Sequence, residues 1–67
     1  MYVVIEYRPY DYDERLVRWF DTETGANVWC RERLRQHGPS YEVHRLMPDR
    51  TVECVRRHLP PATKETP

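Results

Sequence analysis

The sequence predicts an α+β fold in two layers, an antiparallel sheet of about four strands with one helix across one face, in the order strand, strand, helix, strand, strand. Three observations predict it. Tyr2-Val3-Val4-Ile5-Glu6-Tyr7 is a β-branched and aromatic run of strand length. Residues 22–37 carry apolar side chains at helical spacing and stop at Gly38-Pro39. Ser40 to Met47 is a further strand run, closed by the turn chemistry of Pro48-Asp49-Arg50.

The first strand should run from about Tyr2 to Arg8, with Val3, Ile5 and Tyr7 on one face and Tyr2 and Val4 on the other. It begins directly behind Met1, and the expectation is a chain without a leader. Pro9-Tyr10-Asp11-Tyr12-Asp13-Glu14 reads as a polar, acidic connection that exposes Tyr10 and Tyr12. The second strand, Arg15 to Phe20, has an ambiguous pattern: strict alternation puts Val17 and Trp19 on one face and Leu16 and Phe20 on the other. A helix then spans about Thr22 to His37, started by capping oxygens at Asp21, Thr22 or Thr24 and stopped by Gly38 in a left-handed cap. Its apolar side holds Ala26, Trp29, Cys30, Arg33, Leu34 and His37, opposite Val28, Arg31, Glu32 and Arg35. Arg33 should run its stem past Trp29 or pair with an acid. His37 reads as a partly buried capping residue.

After the third strand, Thr51-Val52-Glu53-Cys54-Val55 favours a fourth strand by its β-branched content. A short helix capped by Thr51 and stopped by Pro60 is the alternative, since Val52, Val55 and Leu59 also share a helical face. Residues 1–59 form one domain, and 60–67 a mobile proline-rich tail. With the helix returning the chain, the third strand pairs with the first and the sheet order becomes 2-1-3-4.

At 67 residues, such a domain buries only about 60% of the surface its unfolded chain exposes. Charged residues make up 33% and hydrophobic ones 39%, poor in core material, but two Trp and five Tyr separate the chain from disordered compositions. The net charge of zero gives no case for nucleic acid or an anionic membrane. Residues 1–27 nevertheless carry six acids against three arginines, and the remainder the reverse bias, so the domain is dipolar. Cys30 and Cys54 are too few and too far apart for a disulfide framework and read as small core hydrophobes. No apolar stretch reaches signal or membrane-span length, so the expectation is a cytoplasmic protein with no membrane partner.

Cys30, His37, His44, Cys54 and His58 have ligand chemistry, but their spacing lacks the close pairs of zinc modules. Cys30 and His37 are seven positions apart, about 10 Å of helical rise, too far for a thiol and its base. With only Gly25 and Gly38, no glycine-rich phosphate cradle exists. The expectation is therefore no catalytic, cofactor or metal residue, and no enzyme. Nucleic-acid binding through Arg31, Arg35, Arg56 and Arg57 is the alternative, weakened by Glu32 and by the acidic loop, which would repel phosphate.

Recognition of another protein, or a homodimer, is the leading reading. One helix leaves one sheet face uncovered, and Tyr2, Val4, His44, Leu46 and Val55 are placed together opposite Val3, Ile5, Val43 and Val52. The expected contact set is Tyr2, Val4, His44 and Leu46, with Tyr10 and Tyr12 from the loop and Arg31 and Arg35 from the exposed helix side.

The strand start at Tyr2-Val3-Val4-Ile5, the element order over residues 2–56 and the small size resemble the single-domain inhibitors of phages and mobile elements, including anti-CRISPR proteins. That resemblance implies steric or allosteric inhibition of a host protein complex in the host cytosol, by a chain with no catalysis of its own.

Overall fold

The computed structural model of the chain describes residues 1–8 and 14–61. β1 (Tyr2–Tyr7) and β2 (Glu14–Phe20) are followed by α1 (Glu23–Arg33), then β3 (Ser40–Leu46) and β4 (Val52–His58). The sheet order is β2-β1-β3-β4 with every pair antiparallel, and α1 lies across one face. The β-branched run after Thr51 is a strand, as its composition favours. The loop with Tyr10 and Tyr12, and tail residues 62–67, lie outside the described residues.

The core is organised around one row of the sheet. Val4 of β1 stands opposite Val43 of β3, both fully buried. On each side of this pair the edge strand carries one extra residue, Val17 in β2 and Val55 in β4, where the ladder register slips. Such a bulge leaves one residue unpaired, bends the strand and re-aims its side chain. Both extra valines pack against the core, so the row under the helix holds Val17, Val4, Val43 and Val55, one from each strand. Ala26 and Cys30 close over it, fully buried. Beside them Trp29 sits tilted against Phe20, with ring centroids 5.9 Å apart, and edge-on to Tyr41 at 5.7 Å. The Arg33 guanidinium lies 4.0 Å over the Trp29 ring.

The helix is shorter than its periodicity predicts. Thr22 caps its start, accepting from the Gly25 amide at 3.1 Å, and Glu23 occupies the first turn. A Cβ on Gly25 would stand 3.1 Å from Thr22 Oγ1 and 3.7 Å from Phe20 Cδ1, so glycine suits the close approach of helix start to sheet. At the other end the chain leaves the helix at Leu34, which turns extended and tucks its side chain against the core. Arginine side chains satisfy the orphan carbonyls there: Arg33 donates to Trp29 O, and Arg35 to Glu32 O and Leu34 O. His37 therefore lies beyond the helix, exposed, with φ 64° in the turn. The left-handed residue is His37 rather than Gly38, because Pro39 pushes its predecessor toward extended backbone.

The expected division of the two faces needs correction. Alternation holds in the two central strands as predicted, but the Val4–Val43 register puts Tyr2, Val4 and Val55 with Val43 under the helix. His44 and Leu46 fall on the other face with Val3, Ile5 and Val52. The bulge at Val17 likewise puts Leu16 and Trp19 on the open face and Val17 and Phe20 on the covered one. Cys54 is no core residue: it pairs with His44 on the open face and is exposed. No helix among the described residues is long and apolar enough to cross a membrane.

Candidate functional site

The face without a helix is built from two cross-strand rows. Trp19, Val3, His44 and Cys54 form one; Leu16, Ile5, Glu42 and Arg57 form the next. Leu46 and Val52 pair at the end. The β2 side is apolar and open to solvent, Trp19 being 48% exposed and Leu16 53%, and the Leu46–Val52 pair at the end of β3 and β4 is exposed as well, at 40% and 53%. Val3 is only 4% exposed although α1 lies on the other face, because its cross-strand neighbours Trp19 and His44 flank it.

The β3–β4 side is polar and centred on Glu42. Its Oε1 accepts from the Tyr7 hydroxyl at 3.1 Å and faces His44 Nε2 at 2.9 Å, while Oε2 accepts from Arg57 Nε at 2.8 Å. Burial pushes this carboxyl up, but hydrogen bonds from His44, Tyr7 and Arg57 and the Arg57 charge outweigh it, so its pKa lies below the ordinary value. His44 uses one ring nitrogen on Glu42; its Nδ1 is buried with no hydrogen-bond partner among the described residues. Among the described residues Cys54 makes only a long contact, to the Arg56 carbonyl at 3.8 Å. One ligand-type atom from each of Glu42, His44 and Cys54 lies within 4.8 Å of the others, a set of three donors able to hold a metal. The thiol on the other side of the sheet is unlike it: burial pushes Cys30 up to about 11 against the opposing pull of Arg33, leaving a protonated core residue.

A second polar cluster joins helix to edge strand. His58 is buried and its Nε2 donates to Asn27 Oδ1 at 2.7 Å. Desolvation, then the charges of Arg56 and Arg31, hold its pKa below the usual value.

Of the residues expected to form the contact set, His44 and Leu46 share the open face. Tyr2 packs against the core on the covered face, and Val4 is sealed beneath the helix. Arg31 is exposed on the helix, and Arg35 folds back on the helix's last carbonyls. Tyr10 and Tyr12 lie outside the described residues. The open face adds Leu16, Trp19, Glu42, Cys54 and Arg57, which the sequence reading left out of the contact set. Glu42 had a signal: two positions from His44 in one strand, it must share its face. Trp19 and Leu16 had none, since residues three apart share a face only across a bulge.

Comparison with family models, with curated proteins and with solved structures finds no match to this chain.

Proposed function

We propose that this chain is a non-enzymatic binding module that engages another protein through the open face of its sheet. The observation that carries this reading is the exposure of Trp19, Leu16, Leu46 and Val52 together on the face that no helix covers. Large apolar side chains gathered at one surface of so small a domain gain free energy when a complement removes them from water. The same face carries the Glu42–Arg57 pair and His44. That mixture, with Trp and Arg present, suits a non-obligate contact with a different protein better than an obligate homodimer, whose interface is more apolar. The most concrete form is a phage-type inhibitor in the host cytosol that blocks a host complex by covering one of its surfaces.

The test replaces Trp19 and Leu46 together by Glu, confirms folding by circular dichroism, and compares wild type with the double variant in nuclease-treated host extract. A partner retained by wild type, lost by the variant and reconstituted as a purified complex is the expected result. A folded variant that keeps the same partner overturns the assignment to this face. A wild-type dimer in sedimentation that the variant abolishes replaces the heterologous partner with a second copy.

One observation favours a nucleic-acid reading as the second: Arg31 of the helix and Arg56 of β4 both act electrostatically on His58, so they lie on one side of the molecule. Arg35 and Arg57, however, are engaged within the chain. Binding to DNA or RNA that weakens steeply with salt is the result that would promote it.

A further inference from the structure

We propose that Glu42, His44 and Cys54 form a binding site for a divalent cation of the zinc class, on the polar half of the open face. The sequence gives no close ligand pair, but the sheet supplies the proximity that linear spacing lacks. Glu42 and His44 are two positions apart on β3, and Cys54 is the direct cross-strand partner of His44 on β4.

Three observations carry the proposal. First, a carboxylate oxygen, an imidazole nitrogen and a thiol sulfur lie mutually within 4.8 Å. Metal–ligand bonds of about 2.0 Å to N and O and about 2.3 Å to S put tetrahedral donors about 3.3–3.7 Å apart, so small side-chain rotations close the site. Second, the nitrogen that faces the carboxylate is His44 Nε2, 2.9 Å from Glu42 Oε1, and among the described residues Cys54 Sγ has only the 3.8 Å contact to the Arg56 carbonyl, so the thiol is free to turn to a cation. Third, the carboxylate is already oriented by surrounding groups, Tyr7 on Oε1 and Arg57 on Oε2, as outer partners orient the ligands of metal sites.

The donor chemistry selects the cation. One thiolate, one imidazole and one carboxylate suit zinc and its neighbours rather than calcium or magnesium, which take oxygen. Binding replaces the thiol proton by the metal: Cys54–SH and M²⁺ give the thiolate–metal bond and one released proton, while neutral His44 contributes a nitrogen lone pair. The thiolate and Glu42 together balance the two positive charges. With three protein ligands, the fourth tetrahedral position stays open to water or to a donor from a bound protein.

The experiment titrates Co²⁺, then Zn²⁺ in competition, into the reduced full chain. Wild type should develop the thiolate-to-cobalt charge-transfer band and the intense visible bands of tetrahedral cobalt, with about one proton released per metal. Zn²⁺ should erase the bands and raise the melting temperature. Cys54→Ser, at an exposed position, should lose the charge-transfer band. His44→Gln should weaken binding by more than the roughly 10- to 100-fold loss typical of an outer-shell partner. His37→Gln, in the turn before β3 and outside the donor set, should change nothing. No band in wild type overturns the proposal. So does a band that survives Cys54→Ser, which places the metal on Cys30. A band lost with Cys54 but unaffected by both His44→Gln and Glu42→Gln also overturns it, since that describes a lone thiol.

Discussion

The chain has two tryptophans, one on each face of the same sheet, and their surroundings differ in kind. Trp29 on the covered side is enclosed by Phe20, Tyr41 and the Arg33 guanidinium. Trp19 on the open side has β-strand neighbours beside it and half of its surface in solvent. The carboxylates repeat the contrast. Glu6 accepts from Tyr41 and Arg8, anchoring the rim of the covered layer, whereas Glu42 gathers Tyr7, His44 and Arg57 on the open one. One face spends its aromatic residues on cohesion, and the other presents them. A sheet of four short strands sustains both because its four-valine row and a single helix suffice to close one side.

The largest effect should come from the covered face. Trp29→Ala removes the ring that Phe20, Tyr41 and Arg33 contact, and should cost about 3–5 kcal/mol, enough to unfold most of a domain this small. Thermal melting checks it; a midpoint within a few degrees of wild type would mean that the aromatic cluster contributes little.

The same truncation on the open face should behave differently. Trp19→Ala should cost about 1 kcal/mol, since half of the ring is already in water, yet remove most of the partner affinity. Denaturant midpoints for the two variants, measured side by side, test the contrast directly. Equal losses would erase the distinction between a cohesive and a presenting tryptophan.

Acid should probe both faces in succession. His58, on the covered side, has a folded pKa below its ordinary 6.5, so the unfolded chain binds the proton first and stability falls as pH drops from 6.5 toward the folded value. Glu42, on the open side, has a folded pKa below its ordinary 4.5; its contribution is present above 4.5 and is lost as pH falls through the folded value. Melting temperature against pH should therefore decline in two windows. His58→Gln should flatten the upper one and Glu42→Gln the lower.

The smallest effect should come from a residue on neither face. In the β3–β4 turn, Pro48 suits the second position, Met47 O accepts from the Arg50 amide at 3.0 Å, and Arg50 takes φ 74°. A left-handed arginine costs roughly 1 kcal/mol, part of which glycine returns as chain entropy, so Arg50→Gly should stabilise by about 0.5 kcal/mol. Melting shifts of that size set the floor against which the face variants are compared.

Element types and their order were legible in the sequence because composition and capping chemistry report them directly: the Tyr2–Tyr7 run, the capping Thr22, the β-branched run after Thr51. The sheet order followed from the helix returning the chain, which lets the third strand pair with the first. The face of each side chain was only partly legible. Alternation relates residues within one strand, but nothing local says that Val4 meets Val43 rather than His44, and that register decides which residues the helix hides. The extra residues at Val17 and Val55 then invert the alternation partway along both edge strands. For the candidate site, His44 and Leu46 could be read as surface-facing partners, while Tyr2 and Val4 were assigned to the wrong company for the same reason. The early end of the helix was hidden too, since Leu34 keeps its place in the apolar pattern while its backbone is already extended.

The two bulges also bear on what this chain does in a crowded solution. A sheet with two outer strands offers two rims of unpaired amides and carbonyls, the usual route to runaway strand addition and fibres. Here each rim is interrupted near its middle, so a foreign strand that pairs with the first few residues is out of step after Val17 or Val55. The irregularity that fills the core under the helix thus also spoils the rims as templates for a foreign strand.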